Sequence, residues 1–222
     1  MLDQLIIGDK RSYDDYSASV SERSIGAPQK KVIKETVPFS NITYDFSNIN
    51  GEIYWEERSL EYKFEIIAET PEELEILKIK FSTWIMNVMN EEIYDPFIKD
   101  YHYKATFDTI TYEDDESIEK TTITVVFAAY PYLITNEKKR YEIALTEEEA
   151  ELEVVNNSAH RITPTFITDT PMTIKIDENT YSIGAGSVTD EKIKLKRGKN
   201  ALVVGAANGS GAFAVEFREE VF

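Results

Sequence analysis

The chain has 222 residues, with 24 Lys or Arg against 41 Asp or Glu, so its formal net charge is −17. A balance this acidic argues against nucleic-acid binding as the main task, because affinity for phosphate backbones comes mostly from Lys and Arg. It also argues against docking on an anionic membrane surface. The absence of Cys excludes disulfides, iron–sulfur clusters, thiolate zinc sites and a cysteine nucleophile. No apolar run approaches the roughly 18 residues of a spanning helix, so membrane insertion is not expected. Met1-Leu2-Asp3-Gln4-Leu5-Ile6-Ile7 has no basic residue before its apolar run, unlike a signal peptide, so synthesis is expected in the cytoplasm.

The first predicted strand is Leu5-Ile6-Ile7. Asn50-Gly51 is a two-residue hairpin signal between Thr43–Phe46 and Glu52–Trp55. Leu60, Tyr62, Phe64 and Ile66 alternate with polar residues, which predicts a strand with one buried face. Thr70-Pro71-Glu72-Glu73 reads as a helix start with Thr70 as cap, Pro71 at the first helical position and Glu73 closing a capping box. Leu74, Leu77, Phe81, Trp84, Ile85 and Val88 then recur at helical spacing, giving a helix over about residues 71–89. Ile76, Ile79 and Met86 lie off that stripe, so the helix is apolar on more than one face. If it is a core helix against one sheet, Trp84→Ala costs about 3–5 kcal/mol. Tyr103–Thr109 and Ile123–Ala129 are two further strands, joined through Glu113-Asp114-Asp115-Glu116.

Composition changes near residue 140. Both tryptophans and every tyrosine but Tyr181 lie at or before Tyr141, while Gly184, Gly186, Gly198, Gly205, Gly209 and Gly211 crowd the last stretch. The charged segment 137–152 suggests a boundary, giving domains 1–137 and 138–222. The second half predicts short strands at Leu152–Val155, Thr165–Thr168, Met172–Ile176, Thr180–Ile183, Lys192–Lys196, Ala201–Val204 and Phe213–Phe217. The expected fold is mainly β with one α-helix. An N-terminal β-sandwich or α+β domain with a projecting hairpin precedes a small C-terminal β-sandwich of galectin-like or jelly-roll-like type.

No catalytic, cofactor-binding or metal-ligating set stands out. A zinc site or a Ser-His-Asp triad would need His102 or His160, and neither has a partner at ligand spacing. Glu113–Glu116, Glu147–Glu149 and Asp177–Tyr181 lack the ligand alternation of a calcium loop and read as solvated acidic loops. Gly184/Gly186 and Gly209/Gly211 precede strand-like sequence, not a helix, so they read as β-turn glycines rather than a phosphate cradle. Nothing singles out a carboxylate pair for glycoside hydrolysis.

The order of features carries a family resemblance. Glu22-Arg23-Ser24-Ile25-Gly26 leads to Lys30, Lys31 and Lys34, then Tyr44-Asp45-Phe46-Ser47 with Asn50-Gly51. Glu56-Glu57-Arg58-Ser59-Leu60-Glu61-Tyr62-Lys63-Phe64 precedes the Thr70 helix; Tyr94-Asp95 and Ala128-Ala129-Tyr130-Pro131-Tyr132 follow. This resembles the distal tail proteins of long-tailed bacteriophages, prophages and tail-like particles, chiefly over residues 1–135. The resemblance implies a structural virion protein at the distal end of the tail, and no enzyme. It implies a homo-hexameric ring, single or stacked in two, joining the tail tube protein to the tail-tip or baseplate proteins. Receptor-binding proteins are further partners. DNA would cross the lumen without specific binding. The family's hairpin reaches over a neighbouring subunit; here it is expected at 32–55, with Val37, Phe39, Ile42, Tyr44, Phe46 and Ile49 as intersubunit contacts. Those residues could equally form intramolecular core. The alternative function is a carbohydrate-binding module using the C-terminal sandwich for host attachment, which the lack of Trp in that half disfavours.

Overall fold

The computed structural model describes residues 3–48, 51–115, 119–146, 149–206 and 209–222. It divides into two compact units, Met1–Leu133 with Phe222, and Ile134–Val221.

The first unit is built on one antiparallel sheet. Seven of its strands run in the order Lys10–Arg11, Ile6–Ile7, Glu91–Tyr94, Tyr101–Asp115, Lys120–Ala129, Arg58–Ile67 and Ser19–Ile25. The centre is held by the full-length register from Arg58 opposite Ala129 to Ile67 opposite Lys120. Arg58, Leu60, Tyr62, Phe64 and Ile66 point to the buried face and their neighbours outward, the period of two that a half-buried strand requires. A bulge at Asp108, between Phe107 and Thr109, shifts the pairing of the longest strand.

The helix spans Pro71–Met86. Thr70 Oγ1 accepts from the Glu73 backbone N–H at 3.2 Å, and the Glu73 carboxylate reaches back to the Glu69 N–H at 3.1 Å. Asn87 ends it: its backbone N–H goes to Trp84 O at 3.3 Å and its side chain donates to Thr83 O at 2.6 Å. The helix therefore stops about a turn earlier than its apolar stripe suggests. Leu74, Phe81 and Ile85 are buried. Phe81 meets Phe64 of the sheet with ring centres 4.9 Å apart.

Trp84 is only half-buried, so the core position expected for it belongs to Phe81. The reason is a second, five-residue helix, Ser12–Tyr16, which has too few residues for a periodic signal. Its Tyr16 stacks on Trp84 at 4.7 Å and 13°, covering one indole face. Ile76, Ile79 and Met86 are exposed on the outer side of the long helix.

The second unit is a sandwich of two four-stranded antiparallel sheets. One runs Lys139–Leu145, Gly211–Phe217, Thr165–Thr168, Gly186–Thr189; the other runs Ala150–Asn156, Gly198–Ala206, Met172–Ile176, Asn179–Ile183. Counted in chain order, the first sheet holds strands one, eight, three and six of the sandwich, and the second holds two, seven, four and five. That interleaving is a jelly roll. Phe166, Phe213, Val215 and Phe217 of one sheet face Val154, Ile174, Leu202 and Val204 of the other in a single core.

Several elements differ from the sequence reading; Glu113–Asp115, expected in a solvated hairpin loop, instead continues the strand Tyr101–Asp115, paired through Asp115 opposite Lys120. Lys192–Lys196 is not a strand; Ile193 and Leu195 are buried by a loop held through one bridge, Ile162 to Leu195. Conversely, Gly186–Thr189 is a strand on the sheet edge, where its glycine and polar residues give almost no alternation. The charged segment 137–152 contains Lys139–Leu145 and the start of Ala150–Asn156, the first strand of each sheet. Of the turn glycines, Gly186 and Gly209 take φ of +107° and +81°, values an L side chain resists.

Candidate assembly surface

Between Gly26 and Arg58 the chain leaves the sheet. The Gly26 N–H goes to Ser59 O at 2.8 Å, where a Cβ on Gly26 would stand 3.1 Å from that oxygen. Above this point two legs run side by side, tied by Glu56 N–H to Gln29 O and Lys31 N–H to Tyr54 O, each 2.8 Å. Farther out, Lys34–Thr36 pairs with Thr43–Asp45, Glu35 standing opposite Tyr44. The tip turns at Pro38-Phe39-Ser40-Asn41, with Phe39 at φ +59° and Val37 N–H on Ile42 O at 3.2 Å.

This corrects the expected pairing of Thr43–Phe46 with Glu52–Trp55. Pro38 presets one turn dihedral, and Phe39 takes the left-handed conformation beside it. Asp45 Oδ1 then accepts the Ser47 N–H at 2.9 Å, an Asx turn, while Ser47 Oγ accepts the Ile33 N–H at 2.8 Å. These bonds direct the chain toward the first leg. Asn50, half of the expected Asn-Gly turn, lies outside the described residues.

Val37, Phe39, Ile42, Tyr44 and Phe46 are all exposed in the single chain; Ile49 lies outside the described residues. Tyr44 and Phe46 stack with centres 6.2 Å apart. Val32, Ile33, Ile53 and Tyr54 are exposed as well, and the sequence reading did not single them out. In these positions the side chains are not intramolecular core. A two-stranded ribbon is marginal in water by itself.

A buried polar network lies at the root of the arm. Asp95, its side chain 1% exposed, accepts from Arg23 Nη1 at 2.7 Å and from the Tyr62 hydroxyl at 2.8 Å on one oxygen. Its other oxygen accepts the Phe97 N–H at 2.9 Å, and the Arg23 guanidinium lies 4.5 Å from the Phe97 ring centre. Arg58, 6% exposed, lies 6.0 Å from the Tyr103 ring centre. Burial pushes the Tyr62 hydroxyl far above the ordinary tyrosine value, and the neighbouring Asp95 charge adds to this.

The sign follows from the raised value. Tyr62 in the unfolded chain ionises near the ordinary tyrosine value of 10.0, whereas in the folded chain it stays neutral. The unfolded state then binds fewer protons, so the stability Tyr62 contributes is complete below about pH 10 and falls as pH rises beyond it. Chemical denaturation between pH 8 and 11 should show this alkaline loss, and Tyr62→Phe should lessen it.

The two histidines have partners that the sequence did not reveal. His102 is buried beside Tyr94, with Nε2 3.6 Å from Glu92 Oε1. His160 Nε2 is 2.7 Å from Glu220 Oε2, sixty residues on, and its Nδ1 is 2.6 Å from Arg161 O. Ser158 Oγ accepts the Glu220 N–H at 3.0 Å. Among the described residues no cluster of three or more His, Asp or Glu is placed to hold a metal, and no helix is long and apolar enough to cross a membrane.

No protein-family model matches the chain, and no curated protein matches it. Among solved structures it is similar to the phage SPP1 Dit protein (gp 19.1), described as a paradigm of the hub adsorption apparatus in phages infecting Gram-positive bacteria. That likeness has a TM-score of 0.68 at 13% identity and covers 98% of this chain and 99% of that one. The chain therefore has the fold of a phage distal tail protein through both units. Two structures of the phage P2 baseplate, in its activated conformation with Ca and with Sr, align at 10% identity over 97% and 98% of this chain. In both, 98% of the other chain is covered, and their TM-scores of 0.41 and 0.46 are too low to add to this.

Proposed function

We propose that this chain is a structural hub protein at the distal end of a phage, prophage or tail-like-particle tail, assembled as a homo-hexameric ring. The observation that carries the reading is the arm: a ribbon of exposed Val37, Phe39, Ile42, Tyr44 and Phe46 on the fold of a distal tail protein. A ring closes through two different patches per subunit, one of which must reach the neighbour. A projecting two-stranded ribbon can do so by strand addition and by aromatic anchors.

In this reading residues 1–137 form the ring, and 138–222 form a separate sandwich domain. The ring joins the tail tube protein to tail-tip or baseplate proteins, with receptor-binding proteins as further partners. The net charge of −17 suits a lumen that repels phosphate and lets DNA pass without holding it. The reading assigns no catalysis.

The glycan-binding alternative draws on the jelly roll, a scaffold that lectins also use. One sheet carries an open trough of about 550 Å³ floored by Ala144, Ile167, Ala212 and Ala214. Sugar rings favour an exposed aromatic platform, yet Phe166, Phe213 and Phe217 are all buried in the core. The arm reading is the stronger.

Light scattering after gel filtration tests it. The wild-type chain, alone or mixed with a tail-tube protein, is expected as hexamers or dodecamers, with a central hole in negative-stain images. The triple variant Phe39→Ser, Ile42→Ser, Tyr44→Ser should run as a monomer with an unchanged melting temperature. A wild-type monomer under both conditions, or a triple variant that assembles like wild type, would overturn it.

A further inference from the structure

We infer that Arg23, Asp95 and Tyr62, with Arg58 beside them, form a clamp that sets the direction of the arm. They are positioning residues. The functional use of the clamp rests on the ring reading, but its effect on the arm does not.

The placement of the two arginines carries the argument. Arg23 lies three positions before Gly26, where the chain leaves the sheet, and Arg58 opens the strand by which it returns. Each root of the arm thus adjoins a guanidinium. Arg23 and Tyr62 stand opposite each other in the strand register, and both bond to the same Asp95 oxygen, at 2.7 and 2.8 Å. With Phe97 N–H on the second oxygen at 2.9 Å, the carboxylate is held from three chain segments.

Beyond the clamp, one aromatic contact holds the base of the returning leg: Trp55, half-buried, meets Phe222 edge-on at 4.7 Å, and Phe222 lies 5.0 Å from the buried Tyr132. The legs share the bonds Glu56 to Gln29 and Lys31 to Tyr54 and a bridge between Lys30 and Trp55. Farther out, Val32, Ile33, Ile53 and Tyr54 are exposed, so past Trp55 no packed core steers the legs. A buried ion pair adds little net stability compared with apolar packing, but its hydrogen-bond geometry is directional. Here that geometry spans the strand carrying one root, the strand carrying the other, and the Asp95 loop. An arm that must land on one patch of another molecule needs such fixing, because loose roots would add an ordering cost to every contact.

The chain contains no Cys, so Ser40→Cys at the tip and Lys80→Cys on the exposed helix side give a clean pair for spin labels. Doubly labelled chain is diluted into unlabelled chain, so that only distances within one molecule are read. Tyr62→Phe removes one hydroxyl, Asp95→Asn removes the charge, and Ile66→Val in the same strand is the packing control. In Tyr62→Phe and Asp95→Asn the distance distribution should broaden at least twofold. Amide exchange at Gly26, Lys31 and Glu56 should quicken several-fold, while Leu60–Ile66 exchange stays as in wild type. Ile66→Val should leave both readouts unchanged. Should Asp95→Asn fail to fold, Tyr62→Phe decides alone. A folded Tyr62→Phe chain with wild-type distance width and arm-root exchange would overturn the clamp, whatever the oligomer. Broadening in Ile66→Val equal to that in Tyr62→Phe would do the same.

Discussion

Phe81→Ala is expected to destabilise the first unit by about 3–5 kcal/mol, the range for removing a fully buried aromatic ring from a core. Phe81 is wholly buried, 4.9 Å from Phe64 of the sheet strand Arg58–Ile67, and meets both Tyr16 and Trp84 edge-on. Its loss opens a void between helix and sheet and strips contacts from the Tyr16–Trp84 stack. Urea denaturation followed by tryptophan fluorescence measures it, because Trp84 adjoins the void. Trp84→Ala should cost less, since the indole is half-exposed. A Phe81→Ala loss below that of Trp84→Ala would contradict the packing described.

Phe213→Ala should have a comparable effect, about 3–5 kcal/mol, on the second unit. Phe213 is 1% exposed and stacks on Phe166 with centres 5.9 Å apart. It sits on the strand Gly211–Phe217, which pairs with both Lys139–Leu145 and Thr165–Thr168. The start of the strand is tightly packed as well: a Cβ on Gly211 would stand 2.5 Å from Thr170 Cγ2 and 2.7 Å from Met172 Cε. Hydrogen exchange is the measurement. Amides of Val215 and Leu202 should lose protection, whereas those of Phe64 and Val125 in the first unit should keep it. Equal loss in both units would mean that they unfold as one.

The two positions differ in how far the sequence exposed them. Phe81 lies on a visible helical stripe with Leu74 and Ile85, yet the stripe also contains Trp84 and could not rank them. The ranking depends on Tyr16, whose five-residue helix is too short for periodicity. Phe213 falls in a readable strand, but its partners do not. The same holds at the arm. The apolar residues from Val37 to Phe46 were legible, but neither their exposure nor their strand partner was, because Asn50-Gly51 is a strong local signal and Pro38-Phe39 a weaker one. The Asp95 network was not legible as a network: Arg23 and Tyr94-Asp95 stood out only as separate pieces of the resemblance, and the 72 positions between Arg23 and Asp95 hid their pairing.

By itself, the sequence determined what depends on neighbouring residues along the chain. The period-two strand around Leu60–Ile66, the capped start of the helix at Thr70, the acidic balance and the mainly-β class with a helix all follow from local backbone geometry and composition. The tertiary structure alone decided which strands pair, which aromatic is buried, that the second unit is a jelly roll, and that Arg23, Tyr62 and Asp95 converge. Local periodicity says which face of an element seeks cover; the cover itself comes from distant segments, chosen by burial and hydrogen-bond satisfaction over the whole chain.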